Sequence, residues 1–380
     1  MVDALAIASI ALRHFRNIER ADLGDLPRFT VLSGDNGQGK TSVLEAVYFV
    51  CTTRSFRTSK LEELIRHHET AGGENAPPTQ SPIASVRAIV RERGLEREQS
   101  VGLQGRARTV TLAGKRPPSL AAFAVQSPVV VFHPAEMILS SGPASKRRTL
   151  LDRIALFVDP TSMDHLQRYT AAARSRKRAL ETRGAAAAEL DAFEQLMARH
   201  GAALTRARAE ASRRVVPELQ TSFQRITADR RELEAGYDPG GSEDEETLRG
   251  ALLAGRERDR HRGSPGAGPH RDDLQIRLGG YDVRADASQG EHRAITMALK
   301  MAELACIAQA RGVYPVLLLD DVSSELDLSR TALLFEYLRE SPGQILLTTT
   351  RPSLIDTRGL ASADRRDFHL DRGVVRDGPA

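Results

Sequence analysis

Three phosphate-handling segments, divided between the two ends of the chain, constrain this fold more than anything else in it. Gly34-Asp35-Asn36-Gly37-Gln38-Gly39-Lys40-Thr41 stands near the start, and Ser288-Gln289-Gly290-Glu291 and Leu317-Leu318-Leu319-Asp320-Asp321 stand near the end. The first matches G-x-x-x-x-G-K-[ST], with an apolar run (Phe29 to Leu32) before it and a helix-like run (Ser42 to Val50) after it. That strand–loop–helix context is what a phosphate loop needs. Glycines let backbone N–H groups turn inward on phosphates, and the following helix adds the positive end of its dipole. Gly34 through Ser42 are therefore the expected ATP cradle, with Lys40 on the β/γ-phosphates and the Thr41 hydroxyl on Mg²⁺.

Val316 to Leu319 is a continuous apolar run, the pattern of a strand buried on both faces of a parallel sheet. It ends in two carboxylates, where open α/β sheets bind their ligands. Asp320 is expected on the metal side, and Asp321 is expected to orient or deprotonate the attacking water. Ser288-Gln289-Gly290 opens a long helical run whose Ile295, Leu299, Ala302 and Cys306 share a face. A hydroxyl and free N–H groups at a helix start suit a terminal phosphate; an ordinary Ser cap is the competing reading. One helix ahead of the Asp320 strand, this segment stands where ABC-type ATPases carry their signature. In that class the signature of one subunit completes the site of another, so Ser288, Gln289 and Gly290 imply an ATP-dependent homodimer. Ser324-Glu325-Leu326-Asp327 fits the D-loop of the same class.

Further segments resemble a narrower group. Phe15-Arg16-Asn17, Arg54-Ser55-Phe56-Arg57-Thr58, Val131-Phe132-His133-Pro134 with Gly142-Pro143 and Arg147-Arg148, Gly268-Pro269-His270-Arg271-Asp272-Asp273-Leu274, and Phe368-His369-Leu370-Asp371-Arg372-Gly373 follow one another. Jointly they resemble the RecF family of recombinational repair ATPases from about residue 7 to about residue 376. The resemblance implies an α/β fold: an ABC-type P-loop ATPase head with a mixed β-sheet and an antiparallel β meander. It also implies an inserted α-helical lobe similar to a short SMC arm. Residues 1–143 and 264–380 are the expected head, and 144–263 the helical insert with a flexible return segment. The implied function is an ATP-dependent clamp that dimerises on ATP, grips duplex DNA at gaps or junctions and assists recombinase loading. RecR and RecO are the partners the resemblance implies.

The chain departs from the ABC pattern in two places. Gln344-Ile345-Leu346-Leu347 runs into Thr348-Thr349-Thr350, without the His that usually contacts the γ-phosphate, and the second carboxylate is Asp321 rather than Glu. Both changes favour slow hydrolysis suited to a switch, and the expected activity is a weak ATPase that DNA stimulates. An ABC transporter nucleotide-binding subunit and a P-loop kinase for a small molecule are the rival readings. The basic helical insert, the GPHRDDL segment and the missing His count against the first, and the signature counts against the second.

The rest of the chain is consistent with these readings. Residues 83 to 114 alternate with Gly-containing turns, which predicts the antiparallel meander. Residues 144 to 235 turn helical, with Leu190, Phe193, Met197 and Leu204 on one face. Pro77 and Pro78 fall in a stretch that reads as a loop insertion. Net charge is only +4, but basic side chains outnumber acidic ones in the helical insert. Aromatics make up 4%, and none interleaves with the basic clusters, so base stacking on single strands has no platform. Guanidinium contacts to the phosphates of double-stranded DNA need none, and Arg147, Arg148, Arg176, Lys177 and Arg178 are the expected contacts. Cys51 and Cys306 sit in apolar helical patterns, which predicts buried thiols and a reducing, cytoplasmic setting. No apolar run is long enough to span a bilayer, so no membrane is expected.

Overall fold

The computed structural model describes residues 3–66, 83–227, 229, 231–321, 328–352, 355 and 361–378. The expected loop insertion around Pro77 and the D-loop segment Ser324 to Asp327 lie outside the described residues. The chain divides into two compact units: 1–136 with 225–227 and 307–380, and 137–224 with 228–306.

The first unit is built on two sheets. Its five-stranded sheet joins β2 (Ala6–Phe15), β3 (Ile18–Leu23), β5 (Ile83–Glu92), β6 (Leu95–Gln104) and β7 (Ala107–Leu112) in the order β3-β2-β5-β6-β7, with every pairing antiparallel. This is the expected meander, extended by two strands from the start of the chain. A six-stranded mixed sheet joins β4 (Phe29–Ser33), β8 (Val129–Phe132), β13 (Val316–Leu319), β14 (Ile345–Thr349), β15 (Arg365–Asp371) and β16 (Val374–Asp377) in the order β16-β15-β4-β14-β13-β8. Only the β15–β16 pairing is antiparallel. Two short strands, β1 (Asp3–Ala4) and β12 (Val313–Tyr314), pair in parallel.

Helix α1 (Lys40–Thr52) contacts both sheets, and its side chains from Ser42 to Cys51 are buried. A helix that is apolar all round belongs in a core, and Val43, Val47 and Val50 share one cluster with Leu12, Val86, Val101, Leu318 and Leu346. Helices α2 (Leu120–Ala124) and α11 (Leu328–Glu340) complete the first unit. Its central strands β4, β14 and β13 are buried along their whole length, as parallel strands covered on both faces must be.

The second unit is mostly helical: α3 (Ile138–Ser141), α4 (Ala144–Val158), α5 (Ser162–Arg183), α6 (Leu190–Ile226), α7 (Glu245–Ala254), α8 (Arg256–Arg262), α9 (Val283–Asp286) and the start of α10 (Gln289–Arg311). A small antiparallel sheet joins β9 (Leu233–Asp238), β10 (Asp273–Leu278) and β11 (Tyr281–Asp282). Two expectations differ from this arrangement. The return segment is not simply flexible: Asp244 caps α7 through Thr247 N–H at 2.8 Å, and α8 is pinned by a buried ion pair of Asp259. Residues 264–306, expected with the head, are compact with the helices, because β10 pairs along its whole length with β9 and packs on α4. Cys51 and Cys306 are free and buried as expected, and burial pushes both thiols up to about 12.

Candidate functional site: a phosphate loop facing two carboxylates

The β4–α1 connection lines a cavity of about 910 Å³ in the first unit, together with Asp320, Asp321 and Thr348. That volume falls in the range of small-molecule sites, about 300–1,000 Å³. β4 runs parallel between β14 and β15, so the loop leaves the sheet at the strand ends where α/β ligands bind. Helix α1 starts on Gly39, which brings no side chain to satisfy the first-turn N–H groups. Those orphan donors are what a phosphate oxygen would accept from.

Lys40 Nζ donates to the carbonyl oxygens of Gly34 at 2.6 Å and Asp35 at 2.7 Å. Burial holds its pKa below the ordinary lysine value, against the opposing pull of Asp321, Asp320 and Asp35. Across the cavity, Thr41 Oγ1 donates to Asp320 Oδ1 at 2.8 Å, joining two segments far apart in sequence. The separation is close to that of adjacent oxygens around octahedral Mg²⁺, about 2.9 Å for ligands at about 2.05 Å. Among the described residues no group of three His, Cys, Asp or Glu could hold a metal unaided. Mg²⁺ usually relies on one or two protein oxygens plus substrate phosphates, so Thr41 and Asp320 fit it. Thr348 Oγ1 also donates to Asp320 Oδ1, at 2.8 Å, and accepts from Asp321 N–H at 2.9 Å. Asp321 is half-buried and has a φ of +52°, a left-handed conformation that Asn and Asp tolerate better than other side chains.

Flanking segments brace the loop. Asn17 Oδ1 accepts from Ser42 Oγ at 2.8 Å, and Asn17 Nδ2 donates to Gly37 O at 3.3 Å. Arg16 makes a two-pronged ion pair with buried Glu45 of α1, which also lies 3.5 Å from Arg57. Three charges and the Ser55 hydroxyl thus share one partly desolvated cluster beside the cavity. The turn after β15 closes the loop's outer wall: Arg372 N donates to Gln38 Oε1 at 2.6 Å, and Gly373 N donates to Gln38 O at 2.9 Å. Gly34 and Gly373 have to be glycine here. A Cβ on Gly34 would lie 2.4 Å from Leu370 O, and one on Gly373 would lie 2.5 Å from Asn17 O. The Gln38 side chain, expected on the nucleotide, is engaged with this turn. Sequence reading singled out the Phe15-Arg16-Asn17 and Arg372-Gly373 segments without a role, and it named Thr348 only within a Thr run, with no contact assigned to it. A Thr run at the end of an apolar strand was the available signal.

Ser288 and Gln289 are exposed at the start of α10 in the second unit, with Gly290 beside them. Ser288 Oγ accepts from Glu291 N–H at 3.3 Å, and Ser288 N–H donates to Glu291 Oε2 at 2.6 Å. This reciprocal pair is a capping box, so the bland reading of Ser288 holds in its local structure. Arg231 and Ser288 together draw the Glu291 carboxyl down to about 2.

Two of the expected DNA contacts are corrected. Arg147 is buried and forms a two-pronged pair with Asp273 at 2.8 and 2.9 Å. Arg176 is 1% exposed and is held by Glu194 at 2.9 Å, Asp259 at 2.8 Å and Leu252 O at 2.7 Å. Neither guanidinium can turn to a phosphate without breaking an ion pair that is buried at Arg176 and half-buried at Arg147, which is costly. Arg148 is half-buried and donates to Asp272 O at 2.7 Å. Lys177 and Arg178 are exposed on α5. The GPHRDDL segment proves to be an internal latch. Asp272 accepts from Tyr237 Oη at 2.6 Å, Gly240 N at 2.9 Å and Arg208 Nη1 at 3.0 Å, and Tyr169 Oη meets His270 Nδ1 at 2.7 Å.

The RecF/RecN/SMC N terminal domain model matches residues 6–359. DNA replication and repair protein RecF of Anaeromyxobacter sp. (strain Fw109-5) is 36% identical over 98% of this chain and 99% of its own length. The protein of the same name from Myxococcus xanthus is 34% identical over 98% of each. Among solved structures, a RecF–ATPrS complex described as the recombination mediator protein of the RecFOR pathway superposes with a TM-score of 0.85. It is 26% identical, over 99% of this chain and 98% of that one. An Smc head domain from Pyrococcus furiosus, at a TM-score of 0.53 and 15% identity over 98% and 95% of the two chains, shares the fold alone.

Proposed function

This chain belongs to the RecF family of DNA replication and repair proteins, and on that premise we propose that it is an ATP-dependent clamp on duplex DNA. The observation that carries the reading is the Thr41–Asp320 hydrogen bond, which brings the phosphate loop and the carboxylate pair to one cavity. Lys40 and the first-turn N–H groups of α1 bind the phosphates. Thr41 and Asp320 would hold Mg²⁺, which would supply charge neutralisation to the phosphates. Asp321 orients the attacking water and accepts its proton. Ser288, Gln289 and Gly290 of a second copy complete the site over the γ-phosphate, so ATP closes the dimer and slow hydrolysis opens it. In this reading the first unit carries the phosphate loop and both carboxylates of the ATPase head, and the helices within 144–263 form the arm. RecR and RecO, by family resemblance, are its partners in gap repair and recombinase loading.

Sedimentation with and without ATP and Mg²⁺ tests the clamp. The wild-type chain should shift from monomer to dimer, and duplex DNA should raise its ATP turnover. Ser288→Arg should bind ATP as a monomer yet fail to dimerise, because a bulky cation cannot enter the closed interface. Losing the cap costs only about 1 kcal/mol, so the variant should stay folded. A normal ATP-induced dimer of Ser288→Arg would remove the trans-acting signature. A wild type that stays monomeric and ignores DNA would overturn the clamp.

With Arg147 and Arg176 committed internally, the duplex-facing charge of the second unit falls to other residues. Arg174, Lys177 and Arg178 are exposed on α5, and Arg258, Arg260 and Arg262 on α8. Lys177 and Arg260 line one shallow cavity, beneath which Arg176 ties α8 to α5 through Asp259. Lys177 lies 3.7 Å from Glu181 and Arg260 3.8 Å from Glu257, exposed pairs that a phosphate can replace at little cost. Lys177→Glu with Arg260→Glu should weaken binding of a short duplex about tenfold or more at 0.1 M salt. It should also flatten the log–log salt dependence by about 2, with ATP affinity unchanged. An unaltered salt slope would place the DNA elsewhere.

A further inference from the structure

We infer that Thr348, on the strand that runs beside β13, positions both carboxylates of the nucleotide site. The inference rests on the ATP-site reading above. Thr348 is 2% exposed on β14, and its hydroxyl is used in two directions. It donates to Asp320 Oδ1 and accepts from the Asp321 N–H, at 2.8 and 2.9 Å. A hydroxyl carries a single proton, so its donor capacity is wholly committed to Asp320.

Strand register explains why this Thr lies beside Asp320. Leu319 of β13 is aligned with Leu347 of β14, so the next pair along the ladder is Asp320 with Thr348. On the other edge of β14, Thr348 is aligned with Leu32 and Thr349 with Ser33 of β4, and because successive strand residues face opposite sides of a sheet, Thr349 faces away from the side of Thr348. Two consequences follow for the site. Asp321 departs from the strand with φ at +52°, and the bond from its N–H to Thr348 fixes the peptide from which its carboxylate projects. Asp320 Oδ1 meanwhile accepts from two hydroxyls, Thr41 and Thr348. If the Thr41 oxygen turns to Mg²⁺, its proton can no longer be aimed at Asp320. Thr348 is then the donor that keeps the carboxylate oriented toward the ion. One side chain thereby couples the metal-side and water-side carboxylates.

The test compares Thr348→Val, which keeps the shape and removes the hydroxyl, with Thr348→Ser, which keeps the hydroxyl. Binding of a fluorescent ATP analogue is measured at equilibrium while Mg²⁺ is varied, alongside steady-state turnover. For Thr348→Val, the Mg²⁺ concentration giving half-maximal binding should rise roughly tenfold, and turnover at saturating ATP and Mg²⁺ should fall about tenfold or more. Affinity in EDTA should match the wild type. Thr348→Ser should restore both properties to within about threefold. Thr348→Ala, which removes the hydroxyl without adding bulk, serves if the valine chain does not stay folded. Unchanged Mg²⁺ dependence and turnover in the hydroxyl-free variants would overturn the inference, as would a serine variant as impaired as the valine one. A wild type that binds no nucleotide would defeat the ATP-site reading itself, which the same titration detects first.

Discussion

Asp321→Asn should lower ATP turnover by about 10²–10⁴-fold, the usual contribution of a positioned general base, while leaving ATP binding nearly intact. The substitution is clean for a reason specific to this site. Asp321 sits at a φ of +52°, and Asn is among the few residues that accept this conformation readily. Its N–H can still donate to Thr348 Oγ1, so the backbone has no cause to shift. Only the negative charge facing the cavity is lost. A chain that binds but does not hydrolyse should accumulate as ATP-bound dimer and leave duplex DNA more slowly than wild type. Single-turnover hydrolysis and dissociation from labelled duplex measure the two effects. Equal turnover in variant and wild type would remove Asp321 from the water-activating role.

Lys40→Ala should act one step earlier, weakening ATP binding roughly 10²-fold or more through lost charge-assisted contacts. Dimerisation, hydrolysis and DNA retention should fall with it. Because Lys40 Nζ also holds the carbonyls of Gly34 and Asp35, the loop itself should loosen. That is a local change, and the melting temperature without nucleotide should drop by no more than a few degrees. Isothermal titration with ATP and Mg²⁺, paired with a melt, separates binding from folding. Unchanged ATP affinity would show that the nucleotide lies elsewhere.

Some of this was open to sequence reading and some was closed to it, for physical reasons. The phosphate loop is contiguous: its glycines, Lys40 and Thr41 do their work within eight residues, so local pattern suffices. The buried strand ahead of Asp320 announces itself by its unbroken apolar run. Arg176, by contrast, stands in an Arg-Lys-Arg run that reads as a solvated face. Its partners Glu194 and Asp259 lie on α6 and α8, and nothing near Arg176 in the chain reveals them. Which of three consecutive threonines reaches the carboxylates depends on the register between β13 and β14, a property of the sheet rather than of either segment. Arg147 misled for the same reason as Arg176, since Asp273 reaches it only once β10 has packed on α4.

The position of β4 has a consequence for how the protein comes into being on the ribosome. Its neighbours in the sheet are β14 and β15, and Gln38 is gripped by the turn at Arg372 and Gly373. A nascent chain that has released its phosphate loop therefore lacks both flanking strands until the last of these residues emerge. At about 5–20 residues per second, the interval is tens of seconds. During it the loop exists in sequence but not as a cradle, and ATP gains no purchase on an unfinished polypeptide. Translation itself would thus postpone nucleotide capture, and any dimerisation it triggers, until the ATPase fold is complete.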